Sequence, residues 1–179
     1  MSTTAQNDVL ARWNSLDADS ASQEILPCCG SRAWATALSA QRPFGDADEL
    51  LAASDAVWAS LSEENWREAF DSHPRIGQQH ARAATAQSLA WSSEEQRAAM
   101  GSAGAQEDAT KLALAAGNLQ YEERFGHIFI VCAAGRSAAE ILEILNTRMH
   151  NSAVTEILEA AEQQRQITQL RLRRWLGGN

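Results

Sequence analysis

The chain has 179 residues, enough for one domain burying roughly two-thirds of the surface its unfolded form would expose. Its 23 acidic against 15 basic residues give a net charge of −8 and a pI near 5.0, which argues against nucleic acid as a partner, and no apolar run approaches the roughly 20 residues needed to span a bilayer. Cys28, Cys29 and Cys132 are an odd set without metal-type spacing, and the start MSTTAQNDVLARW has no basic, apolar leader, so reduced thiols in a cytoplasmic protein are the simplest reading.

Alanine, leucine, glutamate and glutamine dominate, and the apolar residues recur at helical spacing, which predicts an all-α, single-domain, multi-helix bundle over residues 1–179. TAQNDVLARWNSL gives a first helix. PCCGSRAWATALSAQRPF contains the next, with Gly30 and Ser31 at its start and Pro43 ending it. DADELLAASDAVWASL carries Leu50, Leu51, Val57, Trp58 and Leu61 on one side, from an acidic first turn that suits the helix dipole. SEENWREAFDS follows with Ser62 as N-cap, and Pro74 then forces His73 out of helical geometry. One helix is expected around 78–89, another restarting at SSEEQ, and a long one from about Ala105 to a Gly126 C-cap. HIFIVCAAG, at 127–135, reads as an extended segment or short helix packed in the core, because a lone strand would have no partner. Two helices, in SAAEILEILNTRMHN and SAVTEILEAAEQQRQITQLRLRRWL, finish the chain.

Three features suggest chemistry. His73, fixed outside a helix by Pro74, is either the residue before a helix stop or a general acid or base that titrates near working pH. His80 lies seven residues on, but no third ligand has metal spacing, so no metal is expected. Ser92, Ser93, Glu94 and Glu95 fit a capping box, with Ser92 at N-cap and Glu95 at N3; such a helix start would also present free amides to an anion or an amide-rich ligand. Arg171 lies four residues from both Ile167 and Trp175, on an apolar face, either snorkelling or aimed into a pocket to grip a carboxylate. Arg148 reads as a structural contact.

RPF, HPRIG, SSEEQ, FIVCAAG, ILEILNTRMHN and QITQLRL, in this order from about Arg42 to Leu172, together resemble the OHCU decarboxylase family. That resemblance implies an all-α, usually dimeric enzyme without a cofactor. Its reaction would decarboxylate 2-oxo-4-hydroxy-4-carboxy-5-ureidoimidazoline (OHCU) to (S)-allantoin and CO2 in urate breakdown. Carried across by motif, the catalytic histidine falls on His73, with Pro74 beside it. The S-x-x-E-Q block falls on Ser92, Ser93, Glu94, Glu95 and Gln96, with Glu95 in a catalytic role. The substrate-lining segment falls on Phe129, Ile130, Val131, Cys132 and Ala133, acting through backbone groups, and the late arginine falls on Arg171. His127 stands where relatives more often carry an apolar aromatic, which puts a second ionisable group beside that segment. Two rival readings stay open: a catalytically silent helical interaction module, and another cofactor-free enzyme acting on a related ureide.

Overall fold

The structure, a computed structural model, describes residues 3–75, 85–100 and 105–177. Among the described residues there are nine α-helices and no strand, as the periodicity requires: α1 Thr3–Asn14, α2 Ala18–Cys29, α3 Arg32–Ser39, α4 Ala47–Ser60, α5 Glu63–Asp71, α6 Ala86–Met100, α7 Ala105–Phe125, α8 Ala138–Arg148 and α9 Ala153–Trp175. The chain divides into two compact units, one of Met1–Ala69 with Arg165–Asn179 and one of Phe70–Gln164. None of the helices is long and apolar enough, over the described residues, to cross a membrane.

In the first unit α2 is an addition to the sequence reading, which placed no helix between the first one and the one starting at Gly30 and Ser31. Asp17 caps its start, accepting from Ser20 N–H at 2.9 Å, and Pro27 sits in the last turn. Gly30 does not open α3 as expected. It ends α2 at φ 93°, a left-handed conformation that favours glycine, and donates its N–H to the Leu26 carbonyl at 2.8 Å. Ser31 alone opens α3, accepting from Trp34 N–H at 3.3 Å. Ala21, Ile25, Trp34, Leu38 and Leu50 are buried from α2, α3 and α4, and Trp13 of α1 is wholly enclosed. The RPF motif serves this core. Arg42 lies over the Trp13 ring at 5.1 Å and donates to the carbonyls of Trp13, Leu16 and Ser39, while Phe44 stacks on Trp13 at 6.1 Å. The second half of α9 belongs to this unit: Gln169 donates to the Leu51 carbonyl at 2.9 Å and to Asp55 at 2.8 Å, and Arg165 pairs with Asp55 at 2.8 Å.

In the second unit Leu114, Tyr121 and Phe125 of α7 pack with Ile141 and Leu145 of α8 and with Phe129 and Val131 of the segment between them. Gly117 lets the two helices approach, since a Cβ there would stand 2.8 Å from Leu145 Cδ2. Gly126 closes α7 at φ 73°, as the sequence indicates. The expected breaks before α7 change. α6 runs unbroken through SSEEQ, starting after Thr85, whose Oγ1 accepts from Ser88 N–H at 3.1 Å. The helix placed at 78–89 falls mostly outside the described residues. The capping box that does form is at α8, where Ser137 Oγ accepts from Glu140 N–H and Glu140 accepts from Ser137 N–H at 2.7 Å.

Candidate active site

α5 ends at Asp71, and the chain turns so that His73 N–H donates to the Phe70 carbonyl at 3.0 Å before Pro74 prevents a further helical turn. His73 and Pro74 are buried, and His73 Nε2 is shut off from solvent. The corner is fastened on both sides. Phe70 packs against His127 with ring centroids 5.3 Å apart and the planes tilted by 43°, and Arg75 Nε donates to Glu122 of α7 at 2.7 Å. A helix stop and a fixed imidazole are therefore the same feature: the proline that ends the helix also holds the ring inside the protein.

His127 belongs to an aromatic cluster of Phe70, Tyr121 and Phe125. Its Nδ1–H donates to the Ile128 carbonyl at 3.0 Å. The ring thus packs as an aromatic, with a polar edge bonded to the neighbouring carbonyl.

Ser92, Ser93, Glu94, Glu95 and Gln96 lie inside α6, which corrects the capping-box reading. The six residues before Ser92, AQSLAW, contain nothing that stops a helix, so Ser92 has a full turn ahead of it. The free amide donors of a helix start are accordingly not presented at Ser92, and only side chains can act. Ser92 is buried, Glu95 and Gln96 half-buried, and Glu94 exposed. Ser92, Glu95 and Gln96 share a face at i, i+3 and i+4, and buried Ser88 lies one turn earlier on it.

The segment after His127 has neither helix nor turn from Ile128 to Ala133, as one of the sequence readings had it, and Phe129, Ile130, Val131 and Cys132 are buried, with Ala133 half-buried. A backbone run of this kind needs partners for its peptide groups. Arg148 supplies one, its Nη1 donating to the Ile130 carbonyl at 2.7 Å while the guanidinium lies 4.7 Å over the Phe129 ring. Arg148 is in turn neutralised by Glu156, which is wholly buried and accepts from Arg148 Nε at 2.8 Å and Nη2 at 2.5 Å. Tyr121 hydroxyl also donates to Glu156, and burial pushes the phenol well above its ordinary titration range. Gln163 Oε1 accepts from Cys132 N–H at 2.9 Å. Glu156 and Gln163 were missed in the sequence, although each is a polar residue beside the buried Ile157, Ala160 and Ala161 of α9. The test that picked out Arg171 would have found them.

Arg171 is 1% exposed, so it does not snorkel. Its guanidinium acts on the thiols of Cys28 and Cys29, favouring their charged forms, but burial outweighs it and pushes Cys29 up to about 12. None of the three cysteines is in a disulfide. His73, Pro74, the α6 block and residues 129–133 belong to the Phe70–Gln164 unit, and Arg171 to the other. His80 lies outside the described residues, among which no group of three metal-type side chains occurs. The first unit also has a cleft of about 340 Å³ against α2 and α3, lined in part by Asp19, Gln23, Arg32 and Ser39; none of the sequence-predicted residues lines it.

A family model described as OHCU decarboxylase matches residues 14–173. The uric acid degradation bifunctional protein TTL of Arabidopsis thaliana is 34% identical over 145 residues, which is 81% of this chain and 44% of that protein. The chain thus spans less than half the length of that curated relative. A crystal structure of OHCU decarboxylase in the presence of (S)-allantoin is similar with a TM-score of 0.73 at 32% identity, covering 86% of this chain and 97% of the other. A crystal structure of (S)-allantoin synthase, at 18% identity and a TM-score of 0.67, covers 93% of this chain and 53% of its own, and shows the shared fold.

Proposed function

Because the chain belongs to the OHCU decarboxylase family, we propose that it converts 2-oxo-4-hydroxy-4-carboxy-5-ureidoimidazoline to (S)-allantoin and CO2, acting as one domain whose family match runs through both compact units. The observation that carries the reading is the family match together with the buried, clamped His73–Pro74 corner at the position of the family's histidine motif.

The chemistry asks little of the protein. When the bond to the carboxylate breaks, its electron pair enters the adjoining C=N system of the ring, so the substrate carries its own electron sink. The hydroxyl proton leaves as the ring carbonyl forms, the ring nitrogen that took the electron pair is protonated, which is the net proton consumed with loss of CO2, and one proton arrives at the carbon bearing the ureido group. The protein must orient the carboxylate, exclude water and deliver that proton to one face. In this reading His73 is the acid, with an earlier part in taking the hydroxyl proton. Ser92, Glu95 and Gln96, on one face of α6, bind ring and ureido N–H and C=O groups through their side chains, with Ser93 and Glu94 flanking them. The 129–133 backbone lines the ring, and Arg171 grips an anionic oxygen in two-point fashion. Arg171→Lys keeps the charge and loses the fork, so kcat/KM is expected to fall by about ten- to a hundredfold; wild-type kinetics in that variant would remove the carboxylate grip.

Two further parts belong to the reading. The buried cysteines, none of them in a disulfide, support a reducing compartment, the cytoplasm. A homodimer is supported by the outer face of α7, where Leu112 is 73% and Leu119 59% exposed with Ala113, Ala115 and Ala116 between them. Sedimentation is expected to return a dimer, and a monomer at micromolar concentration would overturn that element.

The decisive experiment generates the substrate in place from urate with the upstream oxidase and hydrolase, adds the protein, and follows product circular dichroism and CO2. Rapid, enantiopure (S)-allantoin is expected. A slow racemic signal equal to the spontaneous background would overturn the proposal.

A further inference from the structure

We propose that Gln163 is a positioning residue for this reaction: it fixes the register of the 128–133 segment so that one edge of that backbone is held by the protein and the other is offered to substrate. The proposal rests on the decarboxylase reading for what the offered edge binds, and on the geometry of the Phe70–Gln164 unit for everything else.

The held edge is made by two α-helical side chains of opposite hydrogen-bonding sense. Arg148, the last residue of α8, donates to the Ile130 carbonyl at 2.7 Å, and Gln163, on α9, accepts from Cys132 N–H at 2.9 Å. The anchors are two residues apart, the repeat at which a non-helical, extended chain points its groups to the same side. In an extended chain the groups of Val131, between them, face the other way. Among the described residues neither its N–H nor its C=O takes part in a hydrogen bond, although the residue is only 8% exposed. A buried peptide group in that state is costly unless something pairs with it, and an amide-rich ring with a ureido arm has donors and acceptors to do so.

Of the two anchors, Gln163 has the more specific job. Arg148 is committed to Glu156, Tyr121 and the Phe129 ring and would hold its place for packing and charge alone. Gln163 is 7% exposed and makes two hydrogen bonds, one to the segment and one from Nε2 to Glu159 Oε1 at 2.9 Å, a turn earlier on α9. The Glu159 bond settles which way the amide faces: Nε2 must point to the carboxylate, so Oε1 must point to Cys132. A carboxylate at 163 would repel Glu159, and an aliphatic residue would leave Cys132 N–H buried without its acceptor. The pair Glu159 and Gln163 is therefore an orienting relay that ends at the segment.

The test uses the whole protein. Gln163→Leu and Gln163→Met remove the acceptor at similar volume, and the double exchange Glu159→Gln with Gln163→Glu restores both bonds with donor and acceptor reversed along the helix. With substrate generated in place and the spontaneous rate subtracted, each single variant is expected to raise KM about tenfold with kcat changed much less, and the double exchange to return KM towards wild type. Amide hydrogen exchange at Cys132, read by NMR in the same proteins without substrate, is expected to accelerate in the single variants and slow again in the double exchange. An unchanged KM in folded Gln163→Leu and Gln163→Met, or a double exchange no better than the singles, overturns the positioning role. Were wild type inactive on this substrate, the decarboxylase reading would fall by itself. Cys132 exchange would still decide the clamp: protection lost and regained supports it, and protection untouched overturns it.

Discussion

His73→Asn is expected to slow (S)-allantoin formation by about 10² to 10⁴-fold, the range over which a positioned general acid or base contributes, while far-ultraviolet dichroism and the melting temperature stay close to wild type. Asparagine is the right replacement because it keeps a polar group of similar reach in a site that is only 9% exposed, so no large cavity forms. Contacts that hold the corner survive the change: the His73 N–H bond to Phe70 is a main-chain bond, and Pro74 and the Arg75–Glu122 pair lie outside the substitution. His127→Phe is the matched control. That ring sits among Phe70, Tyr121 and Phe125, so phenylalanine retains those ring contacts and gives up the bond to the Ile128 carbonyl. If His73 is the acid, the pH profile of kcat/KM follows His73 and survives His127→Phe with its inflection in place. Near-normal turnover in His73→Asn would take the residue out of the mechanism, and loss of turnover in His127→Phe with a stable fold would move the proton chemistry there.

What could be read from the sequence follows from which forces act locally. Helix periodicity is local, so α1, α4, α7, α8 and α9 were legible; at Ile128 to Ala133, where β-branched and aromatic residues cluster, the sequence left an extended segment and a short helix open, and the structure has the non-helical form. α2 was not, because Gly30 reads as the start of the next helix, whereas the structure places it at the end of α2 and holds Pro27 in that helix's last turn. Caps were ambiguous for a different reason. Ser92 and Ser137 have the same S-x-x-E spacing, and what separates them is upstream: Gly135 at φ 74° breaks the chain ahead of Ser137, whereas an unbroken turn precedes Ser92. The candidate residues show the same division. Arg171 could be flagged because a charge on an apolar helix face is visible in one dimension. That Arg148 and Gln163 meet Ile130 and Cys132 depends on contacts across 18 and 31 residues of chain, which no local pattern reports.

Glu156→Gln should cost about 3–5 kcal/mol of stability, the usual penalty for removing one partner of a buried ion pair, although it changes two heavy atoms' chemistry and almost no volume. Glu156 is 0% exposed and its carboxylate is fully engaged, with Oε1 accepting from Tyr121 and Arg148 and Oε2 accepting from Asn151 at 2.7 Å. A glutamine has one acceptor oxygen where four donors converge, and its amide nitrogen must face a donor whichever way it turns. More costly still, the Arg148 guanidinium, 4% exposed, would remain charged without a counter-ion. Urea unfolding measures this directly, as a lower midpoint at unchanged slope. A midpoint within experimental error of wild type would mean that water or another group screens Arg148, and the network could not be what secures Ile130. Replacing both charges, Arg148→Met with Glu156→Leu, separates the two parts of the argument. Stability should largely recover, because the unpaired charge is gone and apolar packing substitutes for the pair. Turnover should not, because Ile130 then lacks the donor that aligns the segment substrate is proposed to meet.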